Sequence, residues 1–264
     1  MKEVAILFLY EVLALIICFY AFGLILWLLE KLIVRNLGKK SNLLYRITGI
    51  IGTTIHEISH AIFCVIFGHR IERIKFFDLN PQDGTYGFVE HSYKKRNLYQ
   101  RIGNFFIGIA PLILGGASIL LLMFLLLRNT FNNIMDMSLS HSLSEIYVMP
   151  IEAFAQIFTI TNMKTWQFYV FLLVSICIAV HMNISSEDLK GSLTGIVILI
   201  VLIVIIDIPL YFLDSDWPLL VLKRIIVFEV SIFSIVFAID IVMIVLSTLF
   251  YFLKKIFNRN KQTD

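Results

Sequence analysis

The sequence has little charge for its length. Lys, Arg, Asp and Glu make up 16% of its 264 residues, whereas hydrophobic residues make up 59%. A soluble globular domain carries about 25% charged residues, so this composition argues against that class and favours a membrane protein. The net charge is only +3, and the basic residues lie beside apolar segments rather than on one nucleic-acid-binding surface. We therefore expect a lipid bilayer, and no nucleic acid, as a partner.

Cysteine is also scarce. Cys18, Cys64 and Cys177 all lie in apolar stretches, and no pair has the C-x-x-C spacing. This pattern argues against a structural zinc site, which usually contains several Cys ligands. We interpret the three thiols as small buried side chains.

Six apolar segments predict membrane-spanning helices. They cover residues 4–30, 45–67, 102–127, 166–182, 191–213 and 222–253. The two long connections, 68–101 and 128–165, are too short for an added soluble domain, and no internal repeat is visible. We therefore predict an all-α integral membrane protein, in which residues 1–264 form a single multi-pass domain in the cell membrane.

Lys and Arg near the ends of the spans predict the orientation. The basic tail, 254–264, is expected to be cytoplasmic, and counting back through six spans puts the basic connection 68–101 on the same side. Arg35, Lys39 and Lys40 would then face outward, against the rule. Either this short loop violates the rule, or the helix over 45–67 does not cross fully.

The run His56-Glu57-Ile58-Ser59-His60 lies inside the second apolar segment. On a helix, residues four apart project from one face, so both imidazoles point towards one place, with Glu57 beside them. This is the H-E-x-x-H pattern, in which two His bind zinc and the Glu acts as general base. The alternative is a packing network of the same side chains, which is costly at membrane depth without a function.

A catalytic zinc has three protein ligands and an open position, so a third ligand must come from elsewhere. Asp188 is the best candidate, because a polar patch at 181–191 interrupts two apolar segments. Glu187 and His181 are alternatives. Glu187 and Asp188 can equally be acids at a helix N-terminus, where the helix dipole favours negative charge.

The connection 68–101 contains two strand-like pieces, 70–76 and 85–90. Between them, Asn80-Pro81-Gln82-Asp83-Gly84 is typical of a turn, which predicts a β-hairpin over about 70–91 between the second and third helices. The hairpin can be a plain solvated connection. Alternatively, its exposed edge binds an extended peptide by strand addition, with Ile74, Phe76, Tyr86 and Phe88 as substrate-binding residues.

Residues 54–62, followed by Gly68-His69 and the strand-like 70–78, resemble the site-2 protease family of intramembrane zinc metallopeptidases. Gly108-Ile109-Ala110-Pro111 is similar to a Gly-Pro element in that family. The resemblance covers about 45–195 and implies Zn²⁺ as cofactor, His56, His60 and a distant Asp as ligands, and Glu57 as the catalytic base. It also implies a β-hairpin after the catalytic helix.

Together these features predict an intramembrane zinc metalloprotease that cleaves a membrane-embedded or membrane-associated peptide. A polytopic ion or proton transporter is the alternative from another class, although the chain lacks the paired repeats typical of transporters. A relative that binds membrane peptides without cutting them is a third possibility. The presence of Glu57 argues against it, because a binder needs no general base.

Overall fold

The computed structural model describes residues 2–81, 84–212 and 217–260. It is 81% helical and contains a two-stranded antiparallel sheet, in agreement with the predicted helical class and hairpin. The helices are α1 (Lys2–Val12), α2 (Cys18–Leu37), α3 (Ser41–Gly49), α4 (Gly52–Ile66), α5 (Leu98–Leu126), α6 (Arg128–Ser140), α7 (Met149–Ile157), α8 (Ile160–Met163), α9 (Trp166–Ala179), α10 (Ser186–Phe212) and α11 (Trp217–Asn260). The strands are β1 (Arg70–Lys75) and β2 (Phe88–Ser92).

Three helical segments of the described chain are long and apolar enough to cross a membrane: Leu98–Leu126, Leu143–Met163 and Leu222–Ile256. The first and third coincide with the predicted spans 102–127 and 222–253. The six predicted spans are thus not confirmed as a set. The structure supports a membrane protein with these three candidate spans.

The segment Leu143–Met163 was expected to be part of a connection. Its two acidic residues, Glu145 and Glu152, both contact the residues just before the segment. Glu145 forms a capping box with Ser142, and the carboxylate of Glu152 lies 3.1 Å from His141 Nε2. Met149, Ala153 and Ile157 form the buried face of the segment, which packs against α11, whereas Tyr147, Ile151 and Ile160 are exposed.

The predicted second span is interrupted. Helix α3 ends at Gly49 and α4 begins at Gly52, which leaves 15 residues in the helix that carries the H-E-x-x-H motif. At 1.5 Å per residue, α4 is about 22 Å long, short of the ~30 Å hydrocarbon core. This length favours the interpretation in which the motif helix does not cross fully by itself.

Helix α5 is at the centre of the fold, between α4 and α10, while α11 packs against α2, α7 and α9. The main apolar core joins these helices through large side chains that include Leu26, Leu112, Met123, Phe171 and Phe233. Glycines allow the closest approaches. A Cβ on Gly52 would collide with the carbonyl of Cys177 and the ring of His181, so only glycine lets α4 lie this close to the end of α9.

The two strands pair with Ile71 opposite His91 and Ile74 opposite Val89, with an irregularity between Ile71 and Arg73. The second strand begins at Phe88, three residues later than expected. The preceding residue, Gly87, lies outside the ladder and packs on α4. A Cβ atom added to Gly87 would lie 2.8 Å from Glu57 Cγ. Two residues of the predicted turn, Gln82 and Asp83, lie outside the described residues.

Candidate metal centre

Helix α4 presents the side chains of His56 and His60 on one face. Their Nε2 atoms are 3.1 Å apart, and the two rings meet edge to face with centroids 4.8 Å apart. His60 and the neighbouring Glu57 are buried, and His56 is half-buried. The i, i+4 spacing therefore brings the two rings together as the sequence predicts.

Asp188 reaches the same place from the first turn of α10. Its Oδ1 lies 3.4 Å from His60 Nε2, and its Oδ2 lies 3.9 Å from His56 Nε2. The same carboxylate accepts hydrogen bonds from Ser185 Oγ (2.6 Å) and Ser185 N (3.2 Å), and Asp188 N donates to Ser185 Oγ. Asp188 thus serves the helix N-terminus and faces the histidines at once, so the two interpretations of this residue are compatible.

Close packing of α5 on α10 puts Asp188 within reach of α4. An ideal Cβ on Gly108 would lie 2.7 Å from the Asp188 carbonyl oxygen and 2.7 Å from Ser192 Cβ. Any larger residue at position 108 would push the start of α10 away from the histidines. The Gly-Pro element noted in the sequence therefore has a packing role at the site.

Two backbone carbonyls fix the orientation of the rings. His56 Nδ1 donates to the carbonyl of His181 at 2.6 Å, and His60 Nδ1 donates to the carbonyl of Ile107 at 2.8 Å. A carbonyl can only accept, so the Nδ1 atoms carry hydrogens and each neutral ring has its lone pair on Nε2. Metal-binding histidines typically hold their second nitrogen in this way.

Neither carbonyl is needed by a helix. Residue 111 is a proline without an N–H, so the Ile107 carbonyl lacks its usual partner four residues later in α5. His181 follows the end of α9 at Ala179, so its carbonyl lies beyond the last helical turn. The fold therefore provides two free acceptors beside the two rings.

The arrangement fits a divalent metal ion. Two lone-pair-bearing nitrogens face each other beside a carboxylate, and a cation between them relieves the resulting repulsion. In a tetrahedral zinc site with bonds of about 2.0–2.1 Å, the ligand atoms are about 3.3 Å apart. The Nε2–Nε2 separation of 3.1 Å and the 3.4 Å from His60 Nε2 to Asp188 Oδ1 are close to that value, and Asp188 Oδ2 lies 3.9 Å from His56 Nε2. Two His and one carboxylate are also a typical ligand set of catalytic zinc.

The two alternative ligands are occupied elsewhere. Glu187 is exposed, and its carboxylate accepts a hydrogen bond from Ser186 Oγ at 3.1 Å. The ring nitrogens of His181 are within 2.9 Å of Thr48 Oγ1 and 3.1 Å of Thr53 Oγ1. The geometry therefore favours Asp188 as third ligand, while its binding of a metal stays a prediction.

The hairpin residues expected to bind substrate have different environments. Ile74 and Phe76 are exposed on and just after β1, at 40% and 42% of their full area. Tyr86 and Phe88 are half-buried, and Tyr86 stacks on Phe77. None of the four has a described contact with the metal centre, and their role in binding stays a prediction.

Gly87 is the hairpin residue that touches Glu57, and the sequence analysis did not single it out. Its ideal Cβ would lie 2.8 Å from both Glu57 Cγ and Thr53 Cγ2, and 2.9 Å from the carbonyl of Phe76. An isolated glycine in a strand-like segment is the available signal, because it often marks a close backbone approach. The hairpin thus lies directly over the motif helix.

No family model matches the chain, and no curated protein or solved structure is similar to it. The resemblance to site-2 proteases therefore depends on the sequence motif and on the geometry around it.

Proposed function

We propose that the chain is an intramembrane zinc metalloprotease, similar in design to site-2 proteases. The observation that carries the proposal is the 3.1 Å separation of His56 and His60 Nε2, with each Nδ1 bound to a backbone carbonyl and Asp188 beside both rings. A metal cation would stabilise this cluster by binding both nitrogens and the carboxylate. A set of three protein ligands with Glu57 adjacent is typical of a catalytic rather than a structural zinc site.

His56, His60 and Asp188 would hold the ion, and bound zinc would acidify a water molecule and polarise a scissile carbonyl. Glu57 would accept a proton from the attacking water and later deliver it to the leaving amine, as general base and then general acid. The carbonyls of Ile107 and His181 keep the rings from rotating. Gly87 covers the aliphatic part of Glu57 and limits access of bulk water, which strengthens electrostatic interactions at the site.

The substrate class we propose is a membrane-spanning or membrane-associated peptide. The carbonyls of a helical substrate are occupied by its own hydrogen bonds, so the scissile segment must be extended. The hairpin lies beside Glu57 and offers exposed strand edges for such a segment. Ile74, Phe76, Tyr86 and Phe88 would contact its side chains.

Peptide-level comparison of membranes that contain the wild-type chain or Glu57→Gln tests this proposal. We expect new peptide termini, within or beside membrane segments, only with the wild type. Identical peptide profiles, together with metal-free purified protein, would contradict it. Proton or cation flux through reconstituted vesicles that depends on His56 and His60, without cleavage, would instead indicate the transporter.

A further inference from the structure

We propose a second metal site, formed by Cys64, His69 and His91, where the end of α4 meets the hairpin. One ligand atom from each of these side chains lies within 4.8 Å of the ligand atoms of the other two. One thiolate and two imidazoles suit Zn²⁺, the ion we assign to the site. The inference depends on a separate set of residues and does not require the protease function.

The C-terminus of α4 brings His69 beside Cys64. The His69 N–H bonds to the Cys64 carbonyl at 2.8 Å, and the Gly68 N–H bonds to the Val65 carbonyl at 3.1 Å. These two bonds form a Schellman motif, and Gly68 adopts the positive φ of 67° that the motif requires. The chain therefore reverses directly after α4, and His69 lies under the last turn.

The hairpin supplies the third side chain. His91 pairs with Ile71 in the ladder, so β2 returns it to the start of β1, close to His69. The Nδ1 atoms of His69 and His91 are 3.0 Å apart, and the ring of Tyr93 stacks on His69 with centroids 5.1 Å apart. Pairing of the strands thus assembles ligands that are 22 residues apart in sequence.

The His69 tautomer is suited to binding a metal. Its Nε2 donates to the carbonyl of Gln100 at 2.7 Å, which leaves the lone pair of the neutral ring on Nδ1, facing His91. The Gln100 side chain also donates to the carbonyl of Gly68 at 2.6 Å, so this turn is held from both sides. A carbonyl therefore fixes His69 as it fixes His56 and His60, but through Nε2 instead of Nδ1.

Burial of the cluster is uneven, in a way that allows an ion to enter. The Cys64 side chain is inaccessible to solvent and His69 is almost so, whereas His91 is half-buried. An ion would enter from the side of His91 and bind Cys64 in the interior. Once bound, it would link the catalytic helix to the hairpin that covers Glu57.

The two sites lie on successive turns of one helix face. His56, His60 and Cys64 are spaced four residues apart, so Cys64 is about 6 Å beyond His60 along the axis of α4. Only the second site contains sulfur, and this gives the two sites different spectroscopic signatures.

The test uses the purified full-length protein in detergent, loaded with Co²⁺ in place of Zn²⁺. We expect a thiolate-to-cobalt charge-transfer band in the near ultraviolet, lost in Cys64→Ala and in His91→Ala but retained in His60→Ala. Zinc content should fall from two ions per chain to one in each of the three variants. His141→Ala, with its imidazole paired to Glu152, is the matched control and should keep two.

Absence of the thiolate band from the wild type would overturn the second site, whether or not the first site contains a metal ion. A band that persists in His91→Ala but disappears in His69→Ala would also overturn the three-residue assignment. Loss of the band in both Cys64→Ala and His60→Ala, with the band retained in His91→Ala, would mean that Cys64 belongs to the first site and would overturn the second. Failure of the protease proposal appears differently, as cleavage that is absent or independent of Glu57.

Discussion

His60 Nδ1 donates to the backbone carbonyl of Ile107, 47 positions away in sequence and 2.8 Å away in space. The bond joins the motif helix to the central helix α5. It fixes one tautomer of His60, and so it decides which nitrogen faces His56 and Asp188. The acceptor is available because Pro111 cannot donate to it, which makes a helix irregularity part of the candidate metal centre.

Replacement of Pro111 should therefore weaken metal binding although no metal-ligand residue is substituted. In Pro111→Ala, residue 111 gains an N–H that competes with His60 for the Ile107 carbonyl. We expect zinc affinity to fall by about 10-fold, the lower end of what altered support of a metal ligand costs. Competition with a chromophoric chelator measures the affinity.

Pro150→Ala is the matched control for this change. Pro150 occupies the first turn of α7, where the backbone N–H has no helical partner. This variant should bind zinc as the wild type does. A folded Pro111→Ala protein with unchanged zinc affinity would show that the Ile107 carbonyl does not depend on the proline.

Glu57→Gln should keep the metal and lose the reaction. The amide preserves the shape of the side chain but cannot accept a proton from water, and general-base catalysis contributes about 10²–10⁴-fold to rate. Zinc content and peptide cleavage, measured on the same preparation, separate the two effects. Glu187→Gln changes an exposed neighbour of Asp188 and should leave both quantities unchanged. Loss of zinc from Glu57→Gln would mean that Glu57 is a ligand rather than a base.

Substitutions can separate the two roles proposed for Asp188, as metal ligand and as partner of the helix cap. Asp188→Ala removes both the carboxylate near His60 and the acceptor of the Ser185 bonds, so zinc content should fall and the helix start should weaken. Ser185→Ala removes only the cap and should lower the free energy of unfolding by about 0.5–2 kcal/mol while zinc remains bound. Metal analysis and thermal unfolding distinguish the two variants. Full zinc content in Asp188→Ala would remove this residue from the ligand set.

The sequence predicts the local parts of this site better than the long-range ones. The helix period alone puts His56 and His60 on one face, and a β-rich segment with Pro and Gly predicts the hairpin. Asp188 could be nominated because it interrupts apolar residues, but its distance to His60 depends on how closely α10 packs at Gly108. Such packing is a property of two helices together, and one sequence segment does not contain it.

The same limit explains the segment 128–165 and the interruption near Ile50. The sequence predicts a connection over 128–165, yet tertiary contacts with α11 bury one face of its helical part. Between α3 and α4 no proline marks the break. It coincides instead with the contact of Gly52 with the end of α9. In both places tertiary packing determined the structure, and the local pattern was a weak guide.

Gly87 lies over Glu57, and we expect a larger residue at this position to reduce peptide cleavage. A Cβ at this residue would lie 2.8 Å from Glu57 Cγ and 2.9 Å from the Phe76 carbonyl, and the backbone oxygen cannot move without shifting the hairpin. Overpacking of this kind costs about 1–3 kcal/mol, so Gly87→Ala should displace the hairpin from α4. Because no metal ligand moves, zinc content should stay at the wild-type level while cleavage falls. Gly191→Ala, where an added Cβ meets no atom within 4 Å, is the matched control and should cleave normally. Wild-type cleavage by Gly87→Ala would mean that the hairpin need not lie against Glu57 during the reaction.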